Sequence, residues 1–289
     1  MDEVRVKKVY FNGSMVPLSG VRVSPFDYGF LYGYGLFETM RAYNGVVFRL
    51  EDHLNRLMES ARVLKFSAIP DTIKLSYAIS ETLEVNGLKD ARIRLNYSIG
   101  EGAMVPDPDT CKEPVTLISA QEYTPLSGKI YETGYSAILS SFRRDSLSVL
   151  SRLKTGNYLN SLLARREARK AGADEALMLN EKGHLTECSS SNLFLVLNEI
   201  LYTAPAESGL LPGITRQVVL ELAAGLNMDV RIQEIPVDFI KKAQEAFLTN
   251  SIMEIMPLTS FMGQPVGMGK PGPITKKLRT AYSSLTLAP

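Results

Sequence analysis

A lysine precedes a long predicted helix in the stretch Arg152-Leu153-Lys154-Thr155-Gly156-Asn157-Tyr158-Leu159-Asn160. The helix is expected over about residues 157–170, with Leu159, Leu162 and Leu163 on its apolar face. A side chain in a loop of this kind can be held against a rigid scaffold, and a lysine at a helix N-terminus is electrostatically disfavoured. Lys154 is therefore a candidate nucleophilic amine, and the alternative is an ordinary solvated lysine.

The composition is that of a folded globular protein without a strongly charged partner. The chain has 289 residues, with 32 lysines and arginines against 31 aspartates and glutamates, and 45% of its residues are hydrophobic. A formal net charge of +1 does not favour a nucleic-acid surface, so no nucleic-acid partner is expected. No apolar run approaches the roughly 20 residues that span a bilayer, and the first residues carry both charge signs. We expect no membrane segment, no leader and a cytoplasmic location.

Cysteines and histidines are too few and too scattered for a disulfide framework or a metal cluster. Cys111 and Cys188 stand far apart without CxxC spacing, and His53 and His184 lie in separate contexts. We therefore expect no metal site, and the chemistry must use lysine, arginine, acids, tyrosine and hydroxyl groups.

Strand-like and helix-like segments alternate without regular βαβ spacing, which predicts an α+β fold with two domains. Asn12-Gly13 and Asn44-Gly45 each separate two β-rich runs, and this dipeptide is the strongest short-range signal for a hairpin. The stretch 123–129 contains Pro, Ser and Gly and is typical of a linker. The predicted domains are therefore residues 1–122 and residues 130–289.

Familiar nucleotide-binding patterns do not occur in the chain. Gly29, Gly33 and Gly35 do not make GxGxxG, and the stretch 263–270 lacks the Walker spacing. A dinucleotide-binding or P-loop enzyme is therefore disfavoured.

An acid and a candidate anion site accompany the amine. Glu187 opens the run Glu187-Cys188-Ser189-Ser190-Ser191-Asn192, whose small polar residues enter a buried strand. Gly213-Ile214-Thr215 starts a predicted helix, where free N–H groups bind anions, and Arg49 offers a planar fork for a phosphate. An amine, a carboxylate for a ring nitrogen and donors for a phosphate are the groups that pyridoxal phosphate needs. Each segment alone also fits an ordinary loop, helix start or surface arginine.

In order as well as content, these segments resemble the fold-type IV enzymes that use pyridoxal phosphate, which form the class IV aminotransferase family. Ser24 to Thr39 is similar to the family's glycine-rich segment, Val47 to Leu54 to its phosphate-arginine segment, and Thr249-Asn250-Ser251 to its last active-site turn. The resemblance covers essentially the whole chain. It implies an α+β fold of two domains with the cofactor in the interdomain cleft, a C-terminal cofactor-binding domain, and a homodimer whose partner contributes to the substrate pocket.

The resemblance also implies roles for individual residues. Lys154 matches the lysine that forms the Schiff base, and Glu187 with Asn192 matches the pattern at the ring nitrogen. Tyr158 is expected to hydrogen-bond the ring hydroxyl, although branched-chain aminotransferases commonly place one more residue between the lysine and the Asn-Tyr pair. The implied cofactor contacts are Arg49, Lys154, Tyr158, Glu187, Ile214, Thr215 and Ser251.

The family contains both amino-acid aminotransferases and 4-amino-4-deoxychorismate lyases, and the pocket discriminates between them. Thr39 stands where branched-chain aminotransferases typically have glycine and the lyases have a threonine that assists the reaction, and Asn250 resembles the lyase turn. Arg92 and Arg94 share one face of a predicted strand, which suits a dicarboxylic substrate, and Tyr32 is a further candidate substrate contact. The sequence favours the lyase, with a branched-chain or D-amino-acid aminotransferase as the alternative. A binding protein without catalysis has no support, because the amine and the acid are both present.

Overall fold

The computed structural model describes residues 7–287, which fall into two units, each built around one sheet. The first unit holds the described residues up to Thr124 together with Leu153–Asn157. The second holds Pro125–Arg152 and the described residues from Tyr158 onward. The predicted linker at 123–129 spans the point of division between Thr124 and Pro125. Among residues 7–287, no helix has the length and apolar character needed to cross a membrane.

The regular elements follow the α+β pattern expected from the sequence. The strands are β1 (Lys8–Phe11), β2 (Ser14–Pro17), β3 (Gly35–Tyr43), β4 (Val46–Val47), β5 (Ala91–Ser98), β6 (Val115–Glu122), β7 (Tyr135–Arg143), β8 (Glu175–Leu179), β9 (His184–Cys188), β10 (Asn192–Leu197), β11 (Ile200–Thr203), β12 (Val230–Ile232), β13 (Ile235–Pro236), β14 (Glu245–Asn250), β15 (Glu254–Phe261) and β16 (Gln264–Pro265). The α-helices are α1 (Tyr28–Tyr32), α2 (Leu50–Val63), α3 (Thr72–Val85), α4 (Gly128–Thr133), α5 (Leu159–Lys170), α6 (Ile214–Gly225), α7 (Asp238–Lys242) and α8 (Pro273–Leu287).

The sheet of the first unit is antiparallel throughout, in the order β2-β1-β6-β5-β3-β4. Met40, Ile93 and Ile118, on three neighbouring strands, are fully buried in one core with residues of α2 and α3. Both predicted hairpins are confirmed. Their turns contain Asn12 (φ 45°) with Gly13 (φ 94°) and Asn44 (φ 50°) with Gly45 (φ 88°), the left-handed conformations that a type I′ turn requires.

The sheet of the second unit closes on itself. Its order is β12-β11-β10-β14-β15-β7-β8-β9-β13, with β16 beside β15, and β9 also pairs with β10. The six strands from β10 through β14, β15, β7 and β8 to β9 therefore form a circuit. The pair that closes it is Glu187 with Asn192, the acid candidate and its neighbouring asparagine.

The apolar face predicted for the helix after Lys154 is wrong. Leu159 and Leu162 are 66% and 54% exposed. The helix instead buries Ala164 and Ala168, in a cluster with Ala176 of β8. Small side chains let a helix lie close to a sheet, so the leucines were a misleading guide to its buried side.

Arg49 lies between the second hairpin and α2. β4 ends at Val47, and Arg49 has left-handed backbone angles (φ 53°) immediately before α2. A non-glycine residue with positive φ is strained, so the chain turns sharply between strand and helix at this arginine.

Candidate active site

The backbone of Lys154 is attached to an edge of β3. The N–H of Phe37 donates to the carbonyl of Lys154 at 2.9 Å, and the N–H of Gly156 donates to the carbonyl of Gly35 at 2.8 Å. A Cβ atom on Gly156 would lie 3.2 Å from the carbonyl oxygen of Gly33, so glycine permits this close approach. The lysine therefore has a fixed backbone although no helix or strand contains it.

The side chains of Lys154 and Arg94 both contact the ring of Phe37. The Lys154 Nζ atom lies 4.5 Å from the ring centroid, and the Arg94 guanidinium carbon lies 3.4 Å from it. Arg94 also donates from Nε to Asn96 Oδ1 at 3.0 Å and from Nη1 to Thr39 Oγ1 at 3.4 Å. The amine, the hydroxyl and a guanidinium held by two hydrogen bonds therefore lie together on one face of the sheet.

Two further candidate substrate residues, Arg92 and Tyr32, belong to the same unit. Arg92 is on the same face of β5 as Arg94, since Ala91 and Ile93 are buried on the opposite face, but its side chain is exposed. Tyr32 ends α1, is 47% exposed, and its ring meets that of Tyr28 edge to face. Of the two arginines, Arg94 is therefore the one that is oriented by its neighbours.

Arg49 directs its guanidinium along the first turn of α2. Nη1 lies 3.3 Å from Asp52 Oδ2, and the Arg49 carbonyl accepts the N–H of His53 at 3.2 Å. The same turn is tied to β3, because His53 Nδ1–H and Arg56 both donate to the buried carboxylate of Glu38. Glu38 was not predicted as a functional residue, and the arginine's position depends on it.

In the second unit, the carboxylate of Glu187 has partners on both oxygens. Arg144 lies 3.0 Å from Oε1. Oε2 accepts from Asn192 Nδ2 at 3.3 Å and from the N–H of Leu211 at 3.2 Å. A carboxylate surrounded by three donors is held in one orientation. Arg144 is a residue that the sequence analysis missed, because it is distant in sequence from the acid it contacts.

Tyr158, like Glu187, belongs to the second unit. The hydroxyl donates to the carbonyl of Ser189 at 3.0 Å. Burial, and after it the negative charge of Glu187, raises the pKa of Tyr158 to about 12. The phenol is therefore protonated near neutral pH and acts as a hydrogen-bond donor.

The start of α6 has the features of an anion site. Asp side chains cap the N–H groups at the starts of α1 and α3, but Gly213 caps α6 without a side-chain hydrogen bond, so the N–H groups of Ile214 and Thr215 face outward from the helix end. Thr215 Oγ1 is buried and has no hydrogen-bond partner within residues 7–287. An orphaned buried hydroxyl beside open N–H groups fits the phosphate of the expected cofactor.

The last active-site turn is held by Asn250. Its Oδ1 atom accepts the N–H groups of Ile252 at 3.0 Å and Met253 at 2.8 Å, and its Nδ2 donates to the carbonyl of Ser190 at 3.1 Å. Ser251, the predicted phosphate contact, lies inside this turn. In the second unit the carboxylate, the phenol and the anion site suit the ring and the phosphate of pyridoxal phosphate, and the first unit supplies an amine of the kind that its aldehyde requires.

Comparison with known proteins agrees with this chemistry. Residues 35–261 match the family model described as amino-transferase class IV. The chain is 39% identical over 279 residues to a protein of Methanocaldococcus jannaschii provisionally named a branched-chain-amino-acid aminotransferase, covering 96% of each chain. The structure of the branched-chain amino acid aminotransferase of Escherichia coli gives a TM-score of 0.93 at 32% identity, over 98% of this chain and 95% of that one. The chain belongs to the class IV aminotransferase family.

Membership confirms the expected fold type and cofactor. A branched-chain amino acid aminotransferase with a TM-score of 0.92 was solved with pyridoxamine 5'-phosphate, and this class IV aminotransferase is an enzyme that depends on pyridoxal phosphate. A structure from Legionella pneumophila, provisionally named a 4-amino-4-deoxychorismate lyase, is also similar. Its TM-score is 0.83 at 28% identity, over 91% of this chain and 95% of that chain. The likeness to the aminotransferases is therefore greater than the likeness to this lyase.

Proposed function

We propose that this class IV aminotransferase moves the amino group of a branched-chain amino acid to a 2-oxo acid. The products are a branched-chain 2-oxo acid and the amino acid formed from the acceptor. The observation that carries the proposal is the likeness to branched-chain aminotransferases over 96% of the chain, at 39% identity. The lyase, which the sequence favoured, is the less well supported reaction.

Thr39 and Asn250, which favoured the lyase, each make hydrogen bonds within their own unit. The Thr39 hydroxyl accepts from Arg94. The Asn250 amide joins Ser190 to the turn that contains Ser251. A threonine and an asparagine at these positions therefore do not require lyase chemistry, and we assign Thr39 to the orientation of Arg94.

When bound, pyridoxal phosphate supplies an aldehyde that takes up the amino group and a ring that withdraws electrons from the reacting carbon. Lys154 Nζ is assigned to that aldehyde and to carrying the proton that leaves the amine-bearing carbon of the substrate. Glu187 would hold a negative charge near the ring nitrogen and favour the protonated form of that nitrogen. The protonated phenol of Tyr158 would lie against the ring oxygen, with its single O–H donating to the Ser189 carbonyl in this structure.

Phosphate and substrate contacts complete the assignment. Arg49, the N–H groups of Ile214 and Thr215, and Ser251 are assigned to the phosphate. Arg94 is assigned to a carboxylate of the substrate, because its guanidinium is oriented by hydrogen bonds and by stacking on Phe37. Tyr32, Arg92 and Asn250 were also predicted to bind substrate, and of these three we keep only Tyr32 as a contact.

A homodimer is part of the proposal. Exposed apolar side chains gather around α1, with Phe30 74%, Met104 93% and Val105 77% exposed, and Phe26, Leu31 and Tyr32 line a hollow with Met104. Contiguous apolar surface of this kind marks protein interfaces. Phe30→Asp is expected to give monomers in light scattering, and a wild-type protein with the mass of one chain contradicts the dimer. The cytoplasmic location stays a prediction.

The proposed reaction is tested with purified protein, pyridoxal phosphate and two substrate pairs. Leucine with 2-oxoglutarate is expected to give glutamate and 4-methyl-2-oxopentanoate. Without an acceptor, 4-amino-4-deoxychorismate is expected to release no pyruvate. Pyruvate release from the latter, with no glutamate formed from leucine, overturns the proposal and restores the lyase. Borohydride reduction followed by peptide mapping is expected to label Lys154 in either case.

A further inference from the structure

Glu175 is a buried carboxylate in the second unit that the assigned chemistry does not use. It is the first residue of β8 and is only 2% exposed. A buried charge is costly unless it is hydrogen-bonded, and this one accepts from the three consecutive serines between β9 and β10. The Ser189 hydroxyl and the N–H of Ala176 donate to Oε1, and the hydroxyls of Ser190 and Ser191 donate to Oε2 at 3.0 and 3.3 Å.

The serine segment binds other elements through its carbonyl groups. With the hydroxyls directed to Glu175, the Ser189 carbonyl accepts the Tyr158 hydroxyl at 3.0 Å. The Ser190 carbonyl accepts from Asn250 Nδ2 at 3.1 Å. One carboxylate is therefore connected, through two adjacent carbonyls, to the start of α5 and to the end of β14.

Asn250 extends this connection into the turn that contains Ser251. Its Nδ2 is fixed by Ser190, and its Oδ1 accepts the N–H groups of Ile252 and Met253. A serine segment that loosened would release the amide that holds the turn closed. Arg165 of α5 also contacts the segment, donating to the Ser190 hydroxyl at 3.0 Å.

We propose that Glu175 is a positioning residue for the cofactor: by fixing Ser189–Ser191 it sets the Tyr158 hydroxyl and closes the 250–253 turn. It touches neither cofactor nor substrate. The proposal rests on the proposed placing of Tyr158 and Ser251 at the cofactor, so its test includes a readout on the cofactor-free protein.

The decisive variant is Glu175→Gln, and Glu167→Gln is its matched control. Glu167 also accepts from a serine hydroxyl and a backbone N–H, those of Ser140 (2.7 Å) and Ser141 (3.0 Å), away from the serine segment. Amide hydrogen exchange is measured on each cofactor-free protein. Glu175→Gln is expected to speed exchange about 10-fold or more at Ile252 and Met253, which are distant in sequence, and Glu167→Gln is expected to leave both unchanged. Unchanged exchange at Ile252 and Met253 in Glu175→Gln overturns the proposal.

The second measurement is the affinity for pyridoxal phosphate, followed by absorbance. Glu175→Gln is expected to weaken binding about 10-fold, and the loss is expected to be smaller when Tyr158→Phe is already present, because part of the effect of Glu175→Gln acts through the Tyr158 hydroxyl. If the double variant loses affinity by the full product of the two single-variant losses, the proposal is contradicted. If Glu175→Gln does not fold, Ser190→Ala replaces it, because it removes one of the hydroxyls that bind Glu175. Faster amide exchange at Ile252 and Met253 in Ser190→Ala then supports the proposal, and unchanged exchange overturns it. If the wild type does not transaminate leucine, the proposed reaction is wrong, and the exchange test of Glu175 is unaffected.

Discussion

The Nδ1 atom of His53 lies 2.7 Å from Oε2 of Glu38, and both side chains are almost completely buried. Burial lowers the pKa of His53 despite the neighbouring carboxylate, so the neutral ring donates its Nδ1–H. Burial alone would raise the pKa of Glu38, but Arg56 and His53 outweigh it and hold that pKa at about 2. This hydrogen bond fixes the first turn of α2, and with it Arg49, to the strand that carries Thr39.

Glu38→Gln is expected to destabilise the protein in a pH-dependent way. A carboxyl whose pKa is lower in the folded state stabilises it above the unfolded pKa of 4.5, and that stabilisation is lost as the pH falls toward 2. The free energy of unfolding of the variant should be about 1.5 to 3 kcal/mol lower at pH 7, and the difference should shrink between pH 4.5 and 2. Urea unfolding at a series of pH values measures it.

Glu59→Gln is the control for that experiment. Glu59 is on the same helix, but its ion pair with Arg62 is exposed, and such pairs contribute little. If the free energies of unfolding of the wild type and Glu38→Gln differ by the same amount at every pH, the charge of Glu38 is not the source of the difference.

Arg49→Ala is expected to weaken cofactor binding about 10- to 150-fold, which corresponds to roughly 1.5 to 3 kcal/mol for charged hydrogen bonds to a phosphate. The backbone strain at φ 53° is a separate effect. Arg49→Gly relieves that strain while removing the same guanidinium, so it should be more stable than Arg49→Ala and bind the cofactor equally weakly. Absorbance titration and thermal unfolding separate the two. Cofactor affinity equal to wild type in both variants contradicts the phosphate role.

Gly213→Ala is expected to disturb Glu187 through Asn192. A Cβ atom at residue 213 would lie 2.1 Å from Asn192 Oδ1, and Asn192 is itself tied to Glu187 and to the Leu211 carbonyl. Moving the asparagine removes one donor from the carboxylate, so turnover should fall about 10-fold or more, while the start of α6 also shifts. Gly225→Ala, at the other end of the same helix, meets no atom within 4 Å. Similar turnover rates for the two alanine variants would contradict this explanation.

Local signals in the sequence predicted local structure well. The Asn-Gly turns predicted both hairpins, because the required φ values belong to the turn residues themselves. The start of α6 after Gly213 follows from the same kind of signal. The buried side of α5 was not predictable in this way, because it depends on how closely small alanines pack against β8.

The residues that hold the candidate groups in place could not be predicted from the sequence, because they contact those groups from distant segments. Lys154 could be named as an amine, but its attachment to β3 joins residues that are more than a hundred positions apart. Glu187 could be named as an acid, but Arg144 and the closure of the sheet through Asn192 depend on the fold. Residue type thus predicted the candidate groups for the chemistry, and packing determined which residues hold them in place.

Arg94→Gln is expected to separate the two substrates of the proposed reaction. The guanidinium of Arg94 is preorganised by Asn96, Thr39 and Phe37, and a preorganised fork suits the second carboxylate of a dicarboxylic acceptor. The KM for 2-oxoglutarate should rise at least about 10-fold with little change in kcat, and the KM for leucine, which has one carboxylate, should change much less. Arg92→Gln alters an exposed arginine on the same strand face and should leave both KM values near wild type. Initial rates with each substrate varied in turn give these constants. Equal increases for leucine and 2-oxoglutarate would place Arg94 at the carboxylate common to both, because only the dicarboxylate offers a second anion for the guanidinium to discriminate.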